Sequence, residues 1–305
     1  MKKPFGPILF FGSGPVAAES LRQLAPHIEF EAVITKPQPA HHRDTFPVLE
    51  VAGALQLPLF TPNSKAELTA LFKTQEFQSK VGLVIDYGFI IEQPVIDSFP
   101  LGIVNSHFSI LPHWRGADPI TFSILSGQHE TGVSLMLINA QLDEGQLLAQ
   151  EHITIRPGTT TPQLTEKLIA TSTTLLLNTL PRYLNHQLST YPQDTTEGVT
   201  YSRKLTKEDG ALDFTKPATA LEREIRAYAD WPKSYTVLGG SSVVITEVLL
   251  SADNGPIGHV EVNGKQLRIY CGAGALIIKK LKPSGKPEMT AEAFLAGYKQ
   301  RLQNS

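Results

Sequence analysis

The sequence predicts an α/β fold, with a doubly wound, mostly parallel sheet domain followed by a smaller β-rich domain. Three observations carry this. Up to residue 184, short apolar runs alternate with stretches of helical periodicity, the order that produces parallel strands joined by crossover helices. From 185 to 197 the chain is polar and has no sustained period, which marks a linker. Beyond it, β-branched runs are separated by glycines, the texture of a small β-barrel.

The elements follow in order. Ile8-Leu-Phe-Phe11 is short and wholly apolar, as a strand buried on both faces should be. Gly12-Ser-Gly14-Pro15 turns it into a helical pattern over 16–24. A strand is expected over 31–34, a helix over 46–55 and a short strand over 57–60. Gly82-Leu-Val-Ile85 reads as a strand running into Asp86-Tyr87-Gly88. The apolar pair Ile103-Val104 runs into Asn105, a helix opens at Pro119 over 119–125, and 133–138 is a further strand. Residues 161–183 space Leu164, Leu168, Leu175, Leu176 and Leu180 along one helical face. In the second half, strands are expected over 242–250, 258–262, 267–270 and 275–278, with one helix over 218–228.

At 305 residues the chain can hold two separate cores. Its formal net charge of −2 carries no global sign of nucleic-acid binding, although residues from Arg203 onward sum to +4 and the preceding ones to −6. Cys271 is the single cysteine, so no internal disulfide or Cys-x-x-Cys metal site forms, and its apolar surroundings suggest a buried structural thiol. The opening residues lack a signal-peptide core and no segment is long enough to span a bilayer. A soluble, cytoplasmic chain without membrane contact is expected.

One chemical constellation stands out. Asn105 and His107 are two residues apart, so in extended chain both side chains leave the same face. They lie where a buried strand ends, and ligands of open α/β sheets bind beyond such carboxyl ends. Asp143 follows another apolar strand and can reach the same rim. An amide that donates to a developing oxyanion, an imidazole that relays protons and a carboxylate that orients it suit acyl transfer without a covalent intermediate. A turn residue, a half-buried histidine and an Asp-x-Gly turn are the plain alternative. Arg115 reads as a loop cation. Gly12-Ser-Gly14 lacks the third glycine of a dinucleotide loop, so no NAD is expected, and the scattered histidines, His41-His42 included, imply no metal.

Asn105-Ser-His107, Ser109-Ile-Leu-Pro112-His-Trp-Arg115-Gly116, Thr131-Gly132-Val133 and Leu142-Asp143-Glu-Gly145 resemble the signature of the folate-dependent formyltransferases. Thr200-Tyr201, Leu221-Glu-Arg223, Trp231-Pro232 and Pro283-Ser-Gly285-Lys286 resemble the methionyl-tRNA branch of that superfamily. The resemblance runs nearly end to end.

It implies a Rossmann-like catalytic domain over 1–184, a linker over 185–202 and an OB-like, tRNA-binding barrel over 203–305. Asn105, His107 and Asp143 would be catalytic. Tyr87, Gly88 and Phe89, with Ser109, Ile110, Leu111 and Pro112, would wall a pocket for the co-substrate 10-formyltetrahydrofolate, apolar groups flanking the pterin while backbone meets its polar edge. Initiator methionyl-tRNA would be the acceptor, and the chain a monomer. The segment 36–44 is shorter and less basic than the family's tRNA loop, with Lys36 and Arg43 its full positive charges. Arg43, Lys204, Lys207, Lys280 and Lys286 form the tRNA-facing set, joined by Lys279 and Lys282, with a solvated charged face the alternative for any one. Asp86 and Gln146 depart from the family pattern, where a small uncharged and an acidic residue are usual. A sugar-nucleotide N-formyltransferase or a 10-formyltetrahydrofolate hydrolase would keep the same triplet.

Overall fold

The computed structural model describes residues 6–38 and 46–303. Arg43 and the pair His41-His42 lie outside the described residues. The chain divides into two compact units. The first comprises Met1–Pro119, Glu130–Thr154 and Thr165–Ser202, the second Ile120–His129, Ile155–Leu164 and Arg203–Ser305.

In chain order the first half contains β1 (Ile8–Phe11), α1 (Pro15–Leu24), β2 (Phe30–Ile34), α2 (Pro47–Ala54), β3 (Leu59–Phe60), α3 (Lys65–Thr74), β4 (Gly82–Val84), α4 (Gln93–Ile96), β5 (Ile103–His107), β6 (Arg115–Gly116), α5 (Pro119–Ser126), β7 (Glu130–Leu137), β8 (Leu147–Thr154) and α6 (Thr161–Leu184). Seven strands form one sheet in the order β3-β2-β1-β4-β5-β7-β8. The strands from β3 to β5 pair in parallel, whereas β7 and β8 pair antiparallel to their neighbours. β1 is buried at all four residues, which accounts for its unbroken apolar run. Phe11 packs edge-on to Tyr87 and Phe99 and stacks on Phe72, in a core that also takes Leu9, Ile34, Leu68 and Ile103.

The second half begins with β9 (Tyr201–Ser202), which pairs in parallel with β6 inside the first unit. It continues with α7 (Ala218–Ala227), β10 (Ser234–Leu238), β11 (Ser241–Ser251), β12 (Val260–Asn263), β13 (Gln266–Tyr270), β14 (Ala275–Pro283), β15 (Met289–Thr290) and α8 (Ala291–Gln303). β10 to β15 make a six-stranded antiparallel sheet in the order β10-β11-β14-β13-β12, with β15 beside β14. Leu221 and Ile225 of α7 and Phe294 of α8 share a core with Val243, Ile245, Leu267, Ile269 and Leu276 of this sheet. Cys271 is buried in that core, where desolvation raises its thiol pKa.

Several elements escape sequence reading. β8 was not expected because its second half carries an unbroken polar run, Gln150, Glu151 and His152, on an edge strand. The amphipathic helices α3 and α8 were not expected either. The stretch 185–202, expected as a linker, belongs to the first unit. Tyr191 exchanges two backbone hydrogen bonds with Leu147 at 2.7 and 2.9 Å, and Trp114 and Arg115 donate theirs to the Oγ1 and O of Thr200. The polar side chains of this stretch have partners distant in sequence, and these leave no periodic trace.

Candidate active site

The register of β5 sets the site. Asn105 lies opposite Val84 of β4 and Met136 of β7, and its neighbour Ser106 turns to the other face, where its hydroxyl meets that of Ser172 at 2.7 Å. Asn105 and His107 therefore share the remaining face, as the two-residue spacing predicts. Because β7 runs against β5, the connection carrying Asp143 leaves the sheet beside Ile103, where Ile138 N–H donates to the Ile103 carbonyl at 2.8 Å, and folds back over that face. The carboxylate, expected after an apolar strand, reaches the site from the return loop of the β7–β8 hairpin.

The three side chains meet. Asn105 Nδ2 is 3.5 Å from Asp143 Oδ1, and His107 Nδ1 is 3.8 Å from Asp143 Oδ2. Gly116 N–H donates to the same Oδ2 at 2.7 Å. His107 Nε2 lies 2.9 Å from the Trp114 carbonyl. A carbonyl only accepts, so Nε2 carries a proton and the ring offers Nδ1 on the side of Asp143. His107 is only 6 % exposed, so its ring is shielded from bulk water. Such slightly long separations are usual where a transition state supplies the tightening.

Backbone conformations around the site are unusual. Asp86, Trp114, Asp118 and Asp143 all have positive φ, between 46° and 59°. Aspartate tolerates this region and tryptophan does so at a cost, so the surrounding bonds must hold these residues there. Gly145 shows how tight the turn is, since a Cβ there would sit 1.6 Å from the Leu137 carbonyl oxygen. Arg115, read from the sequence as a loop cation, is 5 % exposed and ion-paired to Glu144 at 2.8 Å.

The expected folate wall is placed unevenly. Residues 87–89 follow β4 and residues 109–112 follow β5, so both segments leave paired strands at their carboxyl ends. Tyr87, Ser109, Leu111 and Pro112 are buried; Gly88 is exposed, and Phe89 and Ile110 half-exposed. The second segment is braced from below, with Ser134 Oγ donating to the Ser109 carbonyl at 2.7 Å and Gln150 Nε2 to the Leu111 carbonyl at 2.9 Å. The Tyr87 hydroxyl is buried without a hydrogen-bond partner among the described residues, and burial raises its pKa.

Asp86, one of the departures noted in the sequence, lies against the Gly12-Ser-Gly14 turn. A Cβ at Gly14 would meet its Oδ2 at 1.8 Å, so only glycine admits the carboxylate. Its outer side is open to solvent, yet the protein packed around it desolvates the carboxyl and Asp118 adds a like charge. Lys36, bonded to the Gly88 carbonyl at 2.9 Å and 4.5 Å from the Phe89 ring centre, pulls the other way, and the carboxyl is pushed up to about 6. A carboxyl raised in the fold contributes stability below its ordinary value near 3.8, and loses it as pH rises through about 6. Asp86→Asn should therefore raise Tm at pH 7.5 while leaving it nearly unchanged at pH 4, as differential scanning calorimetry at both values would show. Equal shifts at the two pH values would contradict this assignment of the raised carboxyl.

The predicted RNA-facing lysines lie in the second unit, and all are exposed. Lys280 is ion-paired to Glu247 at 2.7 Å and Lys286 lies 5.3 Å from the Tyr298 ring centre. A cavity of about 680 Å³ is lined by second-unit residues including Tyr228, Lys233, Ser234 and Lys282, and shares none with the triplet.

Residues 8–180 match the formyl transferase family and 204–299 match the formyl transferase C-terminal domain. The chain is 35% identical to the methionyl-tRNA formyltransferase of Myxococcus xanthus over 297 residues, covering 96% of this chain and 95% of that one. With the corresponding enzyme of Paramagnetospirillum magneticum it shares 36% identity over 265 residues, 86% of each chain. The chain belongs to the methionyl-tRNA formyltransferase family. Formyltransferases are similar to it in structure as well. The N-formyltransferase of Helicobacter canadensis, solved with folinic acid and dTDP-3-aminofucose, has a TM-score of 0.67 at 18% identity, covering 90% of this chain and 98% of that one. Phosphoribosylglycinamide formyltransferase of Bacillus halodurans has a TM-score of 0.51 at 24% identity, covering 59% of this chain and 95% of that one. At these identities the two structures speak for the fold alone. Among the described residues of this formyltransferase, no helix is long and apolar enough to cross a membrane.

Proposed function

We propose that this enzyme transfers the formyl group of 10-formyltetrahydrofolate to the α-amine of initiator methionyl-tRNA. The observation that carries this reading is the near full-length identity to methionyl-tRNA formyltransferases, second domain included. The convergence of Asn105, His107 and Asp143 supports it.

In this reading the neutral amine of the acceptor attacks the formyl carbon. Asn105 Nδ2 donates to the formyl oxygen as negative charge builds there. His107 takes the proton leaving the attacking nitrogen at Nδ1, the ring nitrogen on the side of Asp143, while its Nε2–H stays on the Trp114 carbonyl; that proton passes to folate N10 as the bond between N10 and the formyl carbon breaks and tetrahydrofolate leaves. Asp143 faces the ring during that relay and is itself held by Gly116 N–H. Phe89 and Ile110 would present apolar surface to the pterin. The residues from Arg203 onward form the tRNA-binding domain in this reading, with Lys204, Lys207, Lys280 and Lys286 meeting phosphates. Arg43 joins them from the first half of the sequence. The enzyme acts in the cytoplasm, as a monomer.

A sugar-nucleotide N-formyltransferase is the second reading, since an N-formyltransferase solved with an amino-sugar nucleotide has the same fold. One assay decides between them. Purified enzyme with 10-formyltetrahydrofolate should release tetrahydrofolate only when charged initiator tRNA is added. Turnover with dTDP-amino sugars in place of tRNA would move the acceptor to the second reading, and turnover with neither would indicate hydrolysis.

A further inference from the structure

We infer that Gln193 is a positioning residue for formyl transfer, its carboxamide fixing the backbone of the loop that presents Asp143. The inference rests on the reading above, in which Asp143 serves the transfer. Gln193 is half-buried while its neighbours Pro192 and Asp194 are exposed. Nε2 donates both its hydrogens to the loop, to the Asp143 carbonyl at 2.8 Å and the Gly145 carbonyl at 3.0 Å. Oε1 accepts from Arg115 Nη2 at 2.8 Å and from Nε at 3.3 Å. All four bonds that a primary amide can make are thus used, and all reach segments that build the site.

Arg115 closes the arrangement. Its Nη1 is paired to Glu144 Oε1 at 2.8 Å, so three successive residues, 143 to 145, are gripped by one amide and one guanidinium. The same arginine follows Trp114, whose carbonyl holds His107, and precedes Gly116, whose N–H holds the Asp143 carboxylate. Gln193 therefore ties together the two backbone segments that set the distance between His107 and Asp143. Asp143 sits at a φ of 52°, a conformation that neighbours must maintain. The stretch bearing Gln193 is itself anchored at Tyr191 on one side and at Thr200 and β9 on the other. An amide fixed at both ends of its segment transmits position to the loop.

The test uses the full chain with Gln193→Glu and Gln193→Met. Glutamate keeps an acceptor for Arg115 but sets a carboxylate against two carbonyls; methionine keeps the shape and loses every bond. Displacing a reacting group by about 1 Å costs about 10²-fold in rate. Both variants should lose roughly that factor in kcat, with KM for folate and for tRNA unchanged; the glutamate variant, which keeps the pairing with Arg115, should also keep a Tm close to wild type. In both, the Gly116 amide should also exchange its hydrogen faster, because its acceptor is no longer held. Wild-type kcat in the glutamate variant would overturn the inference, showing that the Arg115 contact alone matters. So would a loss that appears in KM or that, in the glutamate variant, tracks a fall in Tm. A wild-type chain that transfers no formyl group to tRNA would instead refute the proposed function, whatever the exchange of Gly116 shows.

Discussion

Replacing Asn105 by alanine should lower kcat for formyl transfer by about 10²- to 10³-fold, the loss of one oxyanion donor worth about 2.7–4 kcal/mol. The backbone at this position is held by parallel pairing to Val84 and antiparallel pairing to Met136, so truncating the side chain leaves the ladder intact. A folate KM that hardly moves would follow, because the donor acts on charge that exists only as the bond forms. Steady-state rates with charged initiator tRNA measure both quantities. A drop smaller than about tenfold would assign the oxyanion to another donor.

Asp143→Asn should be at least as damaging, about 10²- to 10⁴-fold in kcat, the range of general acid–base contributions and of the corresponding exchange in a serine-protease triad. The carboxylate accepts at both oxygens, from Gly116 N–H at 2.7 Å and from the Asn105 amide at 3.5 Å. An asparagine has one acceptor to offer. With its oxygen toward Gly116 it sets an NH2 against the NH2 of Asn105, and flipped it sets that NH2 against the Gly116 N–H. Either way a donor faces a donor, and His107 loses the charge beside Nδ1. Single-turnover rates separate this chemical defect from binding, and an unchanged single-turnover rate would remove Asp143 from the mechanism.

The parallel half of the sheet was legible in the sequence because each strand is an apolar run that ends in a turn signal. Ile8 to Phe11 is the clearest case, buried at every residue. The pairing of Asn105 with His107 was legible for an equally local reason, the alternation of faces along a strand. What the sequence hid is long-range. The direction of β7 is fixed by its partners, and no local pattern distinguishes a parallel from an antiparallel buried strand. Arg115 carries every mark of an exposed residue, and only its pairing with Glu144 and Gln193 makes its burial tolerable. Gln193 itself stands in a polar stretch whose neighbours are solvated, so nothing in composition separates it from them.

The closing stretch of the first unit also bears on how such enzymes are cut and recombined. The two matched regions end at residue 180 and resume at residue 204. Gln193 and Thr200, which brace Arg115, Asp143 and Trp114, fall in the interval between those two regions. A fragment or chimera divided at the edge of the first match would inherit the reacting side chains without their brace, and a graft of a foreign second domain onto residue 180 would do the same. If the proposed roles hold, exchange of acceptor specificity between relatives by domain shuffling should succeed only at junctions beyond Ser202, where the first compact unit ends.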